Sequence, residues 1–269
     1  MSRLPVTAFA GLVVATVGAF FVTQHLKVTT PLITGVRGAT PAWINPVDGV
    51  TCGPASDPVN HRFTRVSFYL LHRSDHVDVW VVDQSGAVVR TLASSRYMRG
   101  GANPVRTAFT WYGREDNGSI APDGTYNVRV ALLQQGRTVE LSDAAGAPLD
   151  ITVRTYPPDP VVTGVTPSVI PVHGSWRVTV RFEGNEHRAG TVRIYRTDLA
   201  GGSRLVKSFV TPWAAQSAVW NGTIGAGRAP PGTYLVGLDV TDAACNTGHF
   251  PAVIPPTPEA APQAVVTVR

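Results

Sequence analysis

The segment WNGTIGAGRAPPGTYLVGLDV, beginning at Trp220, repeats WYGREDNGSIAPDGTYNVRVAL, beginning at Trp111. In each copy a Trp-x-Gly turn leads through a polar, glycine-rich connection to a proline–glycine turn. A Thr-Tyr pair then opens a strongly alternating strand. Duplication on this scale constrains the chain to two copies of one β-domain. Neither copy carries an evident reactive centre, which argues against an enzyme.

The regions around the repeat extend the same pattern. Val66, Phe68 and Leu70 share one face of a strand, and Val77, Val79 and Val81 share one face of another. Tyr126, Val128 and Val130 form a third stripe. In the second half Val178, Val180 and Phe182, then Val192 and Ile194, then Tyr234, Val236, Leu238 and Val240 repeat the plan. A period of two is what a half-buried strand requires. The 26 glycines and 22 prolines punctuate these runs, and frequent turns between short Val- and Thr-rich strands predict an all-β protein. Asp83-Gln84-Ser85-Gly86 reads as a hairpin connection. Each half holds about seven short strands, the count of an immunoglobulin-like or fibronectin-III-like sandwich.

The predicted organisation places a first sandwich over 43–155, a Pro-rich linker over 156–160 and a second sandwich over 161–269. Tyr156-Pro157-Pro158-Asp159-Pro160 is expected to be stiff and extended, because proline fixes φ and cannot donate to a ladder. The terminal Val265-Val266-Thr267-Val268-Arg269 echoes Ile151-Thr152-Val153-Arg154, so the last strand belongs to the second sandwich. At the other end, Leu4 to Gln24 carries no charge. A run of this length predicts a transmembrane signal-anchor helix over 1–24, with a cleaved signal peptide as the rival. Residues 25–42 would then be a linker, and the sandwiches would lie on the extracytoplasmic side of a single-pass membrane protein.

These residues resemble the bacterial FlgD-type immunoglobulin-like domain, whose signature is a Trp-x-Gly turn, a polar loop, a Pro-x-Gly-x-Tyr turn and an alternating strand. The matching positions are Trp111, Gly113, Pro122, Gly124 and Tyr126, then Trp220, Gly222, Pro231, Gly232 and Tyr234. The resemblance spans roughly Trp43 to Arg269 and implies two tandem copies of the fold. With the anchor, the arrangement resembles membrane-anchored actinobacterial envelope proteins. Two departures stand out. The Asn-Gly-Asp-Gly stretch that often opens the family is degenerate here, as Asn45-Pro46-Val47-Asp48-Gly49. The turn Asp242-Ala243-Ala244-Cys245-Asn246 carries Cys where the family has Gly.

Cys52 and Cys245 are the only cysteines. They are a candidate disulfide in an oxidising compartment, with free thiols or an intermolecular bridge as alternatives. His72 and His76 flank Asp75, but no metal-ligand spacing accompanies them, and no metal site is predicted. Glu115-Asp116-Asn117 and Asp75 to Asp78 read as solvated turns, not as the six to eight oxygens of a calcium site. Asn117-Gly118-Ser119 and Asn221-Gly222-Thr223 match glycosylation sequons but suit tight turns. No Gly-x-Ser-x-Gly elbow or phosphate loop is present, so no catalytic residue and no cofactor are expected. The net charge of +5 comes from arginines scattered along the chain, which predicts no nucleic-acid partner.

The functional expectation is a non-catalytic structural, adhesive or assembly module of the cell envelope. It would be held by the membrane through its N-terminal helix and meet a protein partner or another copy of itself. The terminal strand Val265–Arg269 is one candidate for strand exchange. The alternative is a cell-wall carbohydrate-binding module using Trp43, Trp176 or Trp213. An accessory domain protein of an exported enzyme comes third.

Overall fold

The computed structural model describes residues 9, 11–20, 31–48, 51–52, 56–174, 176–186 and 188–269. The first half contains β1 (Ile33–Thr40), β2 (Trp43–Ile44), β3 (Thr51–Cys52), β4 (Val59–Asn60), β5 (Thr64–Leu70), β6 (Asp75–Asp83), β7 (Val88–Met98), β8 (Thr107–Trp111), β9 (Gly124–Leu132), β10 (Arg137–Glu140) and β11 (Ile151–Val153). The second contains β12 (Val161–Thr166), β13 (Val169–Ile170), β14 (Val178–Glu183), β15 (Gly190–Arg196), β16 (Arg204–Val210), β17 (Ser217–Trp220), β18 (Thr223–Ile224), β19 (Gly227–Arg228), β20 (Gly232–Thr241), β21 (Thr247–Phe250) and β22 (Val265–Val268).

Each half is a β-sandwich, and the strand order of the first recurs in the second. A three-stranded sheet β1-β5-β8 corresponds to β12-β14-β17. A six-stranded sheet β2-β11-β9-β6-β7, with β10 on β9, corresponds to β13-β22-β20-β15-β16, with β21 on β20. The parallel pairs also correspond: β2 lies beside β11, and β13 beside β22. The remaining pairings in these sheets are antiparallel.

The alternating residues supply both cores. Val66, Phe68 and Leu70 of β5 meet Val77, Val79 and Val81 of β6 and Val128, Val130 and Leu132 of β9. Val178, Val180 and Phe182 meet Val192, Ile194, Val236 and Leu238 in the second sandwich. Removing this apolar surface from water is the main driving force for closing the sheets. β20 departs from simple alternation: Leu235, Gly237 and Asp239 are buried as well as Val236 and Leu238. Its outer face is covered near Gly237, where an added Cβ would meet the Phe250 carbonyl at 2.8 Å and the Tyr195 ring at 3.2 Å.

Three parts of the predicted organisation change. Among the described residues no helix is long and apolar enough to cross a membrane. The predicted transmembrane helix and single-pass membrane localisation are therefore overturned. Residues 1–8, 10 and 21–24 of the predicted anchor lie outside the described residues. Next, residues 33–40, expected within a linker, form β1 and pair with β5. Two register irregularities interrupt that pairing, and the strand's mostly exposed pattern hides it from a periodicity argument. Finally, β22 is hydrogen-bonded on both sides, to β20 and β13, and Val266 and Val268 are buried. It can be donated to another chain only by leaving its own sheet.

Candidate functional site at the junction of the two sandwiches

The repeated motif is a packing device in both sandwiches. Trp111 and Trp220 are buried, and their indole N–H groups donate to the carbonyls of Arg114 and Thr223 at 2.9 and 3.1 Å. Trp111 meets Tyr126 edge-on, and Trp220 packs against Tyr234. The phenol of Tyr126 donates to the Pro122 carbonyl at 2.5 Å, and that of Tyr234 to Pro230 at 2.7 Å. Burial pushes both phenols above the ordinary tyrosine range, as expected when the charged form loses water. Gly113 and Gly222 occupy the left-handed region, at φ +63° and +70°. Each is also closely covered: a Cβ on Gly113 would meet Pro46 at 2.8 Å, and one on Gly222 would collide with the Trp176 ring. Gly124 and Gly232 open β9 and β20 opposite Val153 and Val268.

The cysteines lie elsewhere, where the two sandwiches meet. Cys52 of β3 and Cys245 of the β20–β21 turn are joined by a disulfide, with their Cα atoms 6.0 Å apart. The turn that presents Cys245 recurs in the chain. Asp83, Asp143 and Asp242 each accept two backbone N–H bonds on one carboxylate oxygen, from residues two and four positions on. The residue three positions on donates its N–H back to the Asp carbonyl in all three turns. That residue is Gly86 at φ +83°, Gly146 at φ +84° and Cys245 at φ +68°. A cysteine thus holds a backbone conformation in which a Cβ is costly.

Polar groups close around the disulfide. The buried Asn45 receives two N–H bonds on its side-chain oxygen, from Val47 and Asp48, and donates to the Asn246 side chain. Asn246 donates to the Arg154 carbonyl and to the Asp242 carboxylate, each at 3.0 Å. The Asp242 side chain is fully buried, with the Arg154 guanidinium 3.2 Å away. Arg154 also pairs with Glu186. That hydrogen bond, helped by the charge of Asp242, holds the Arg154 proton more tightly than usual. Beside this cluster the Arg188 guanidinium lies 5.9 Å from the Trp43 ring and 5.9 Å from that of Trp213. The linker packs flush against the second sandwich: an added Cβ at Gly184 or Gly248 would strike the carbonyl of Asp159 or Pro158.

His61 completes the junction. One of its ring nitrogens and the sulfurs of Cys52 and Cys245 lie within 4.8 Å of one another. With both sulfurs in a disulfide, neither offers a thiolate, so this trio is not a metal centre in the oxidised chain. The His61 Nδ1 sits 2.8 Å from the Trp43 carbonyl, a contact that orients the ring.

The remaining candidates are used locally. Asp75 is buried and accepts bonds from the His76 and Gln134 backbones and the Gln135 side chain. Asn117 and Asn221 accept N–H bonds from Ser119 and Thr223 two residues on, as turn residues. Of the three tryptophans considered for sugar, Trp176 packs edge-on against Trp220, Trp43 is half-buried and Trp213 is 70% exposed. Sequence reasoning missed Asn45, His61, Arg154, Asp242 and Asn246 as a group. The two departures from the family pattern, the Asn45–Gly49 stretch and the Asp242–Asn246 turn, each held one side of the junction, but nothing in the sequence joined them to His61 and Arg154.

No curated protein matches this chain. Among solved structures, dimeric latent PorU from Porphyromonas gingivalis is 13% identical over 84% of this chain, with a TM-score of 0.29. The chain spans 18% of that protein's length. The calcium binding domain CBD12 of CALX1.1 is 11% identical, covering 74% of this chain and 78% of that one, with a TM-score of 0.27. CBD12 from CALX1.2 is 11% identical, over 73% and 75%, with a TM-score of 0.26. A family model does match: residues 61–136, from His61 through the Trp111–Tyr126 motif to the turn after β9, correspond to the FlgD Ig-like domain.

Proposed function

We propose that this chain is a non-catalytic structural or adhesive module of the cell envelope. In this reading it is two tandem FlgD-type immunoglobulin-like sandwiches that act as one rigid body. The carrying observation is the junction, where the Cys52–Cys245 disulfide and the Asn45–Asn246–Asp242–Arg154 network tie the sandwiches together. Independent beads on a string need neither. The recurrence of strand order and of the Trp–Tyr packing supports a second copy of the domain in residues 161–269. A disulfide persists in oxidising compartments, which supports an exported chain. Among the described residues no further strand covers the outer edge of β16, which is available to pair with a partner's strand.

A second reading, a wall-glycan-binding module, is favoured by the exposure of Trp213. Small-angle scattering of the oxidised and reduced chain tests the rigid-body reading. The oxidised protein is expected to fit one fixed arrangement, and reduction to broaden it. Scattering from the oxidised chain that requires freely rotating domains would sink the proposal.

A further inference from the structure

The two sandwiches share their topology but not their surfaces. Strands β1, β5 and β8 contain Arg37 and Arg65 and no acidic residue. In β5, Val66, Phe68 and Leu70 point into the core, so Arg65, Ser67 and Tyr69 take the outer face. Arg37 stands opposite Ser67, and Thr110 opposite Arg65, which places both on that face too. Arg106 lies across it, donating to the Gly35 carbonyl at 2.7 Å and the Ser67 hydroxyl at 3.1 Å, with its guanidinium 4.3 Å from the Tyr69 ring centre. Arginines far apart in the chain are thus gathered by strand pairing onto one sheet face.

Two hollows shape this surface. One, of about 360 Å³, is lined by Arg37, Arg65 and Phe63. The other, of about 540 Å³, lies where the edges of β7 and β8 meet and is lined by Arg62, Arg90, Arg114 and Tyr112. The rings of Phe63 and Tyr112 stand 5.6 Å apart between them, and Tyr112 is 56% exposed. Asp116, 3.7 Å from Arg90, offsets part of the charge at one rim. The corresponding strands of the second sandwich, β12, β14 and β17, carry one Arg181 and one Glu183. There Trp176 packs over Gly222, and Lys207 is tied to Thr223 at 2.5 Å.

We propose that the outer face of sheet β1-β5-β8 binds a polyanionic glycan bearing carboxylates or phosphodiesters. Guanidinium groups pair with both anions through forked hydrogen bonds. Exposed Tyr112, with half-buried Phe63 beside it, supplies the flat apolar surface that sugar rings stack on, and the two hollows in series suit a polymer better than a single small anion. The disulfide, which belongs to an oxidising compartment, favours an envelope polymer over nucleic acid. The inference names the ligand for the glycan-binding reading and rests on it; the rigid-body reading stands or falls separately.

Binding of the full oxidised chain is measured by titration calorimetry against polygalacturonate and polyglycerol phosphate, with neutral dextran and duplex DNA as comparisons. At least one anionic glycan is expected to bind, more weakly as salt rises. The double variant Arg37→Glu/Arg65→Glu is expected to lose at least tenfold in affinity, and Tyr112→Ala to lose severalfold. Arg181→Glu on the second sandwich is expected to bind as the parent does, and circular dichroism checks that each variant is folded. Absence of binding to either anionic polymer at low salt overturns the proposal, as does equal affinity for dextran or tighter binding to DNA. Binding lost in Trp213→Ala but retained in the arginine double variant would keep the glycan-binding reading and reject this face.

Discussion

Cys245 is asked to do two opposed things, and they are separable by substitution. As a crosslink it closes a loop of 193 residues. In the chain-entropy view that restricts the unfolded state by roughly 5 kcal/mol at 25 °C. As a turn residue it sits at φ +68°, where the two sister turns use Gly86 and Gly146. Holding a side chain there costs on the order of 1 kcal/mol. The pair Cys52→Ser/Cys245→Ser therefore loses the crosslink and keeps the strain, whereas Cys52→Ser/Cys245→Gly loses the crosslink and relieves it. The first variant is expected to lose about 5 kcal/mol and the second about 4 kcal/mol, a drop of about 10–15 °C in Tm for a folded region of this size. Scanning calorimetry also reads the coupling. The oxidised parent is expected to melt in one transition and both variants in two, because the sandwiches then open separately. The reasoning fails if the Gly variant is no more stable than the Ser variant, or if either melts as the parent does.

The packing motif and the surface turns give further expectations. Gly222→Ala is expected to destabilise more than Gly113→Ala in urea unfolding, because the new Cβ meets a tryptophan ring instead of the edge of Pro46; equal losses would refute this. Tyr126→Phe and Tyr234→Phe each remove one phenol-to-carbonyl hydrogen bond and are expected to cost about 1 kcal/mol each, with unchanged near-ultraviolet dichroism as evidence that the ring stays in place. The Thr91 backbone N–H is the main group that holds the Asp116 carboxyl below the usual carboxylate range, assisted by the Thr91 hydroxyl and Arg90. Its folded value is depressed, so its contribution is present above the unfolded value and is lost as pH falls through the folded one. Parent and Asp116→Asn are therefore expected to differ at neutral pH and to converge in acid. A stability gap that does not change with pH would contradict the assignment.

Much of the fold was legible because strand periodicity and duplication are local signals. Alternating stripes such as Val77–Val81 and Tyr126–Val130 name a buried face without knowledge of what they face. The Trp-x-Gly and Pro–Gly turns announce where the chain reverses. The failures had physical causes too. Strand β1 went unseen because its pairing is interrupted and its residues are mostly exposed, so no period survives. The apolar N-terminal run was read as a membrane span on composition, whereas among the described residues no helix is long and apolar enough to cross a membrane. β20 looked half-exposed by its alternation, and only the segments folded over it bury both of its faces.

The candidate site divides along the same line. The sequence by itself determined two β-sandwich copies, their packing tryptophans and tyrosines, and an odd cysteine where a turn calls for glycine. Each of these rests on residues a few positions apart, whose geometry is set by backbone sterics and strand period. Tertiary structure alone decided that Cys245 meets Cys52, that Asn45, Arg154, Asp242 and Asn246 enclose that meeting point, and that Arg37, Arg65 and Arg106 share one face. Those residues are brought together by strand pairing and domain docking, which depend on the closure of whole sheets and leave no periodic trace in the chain.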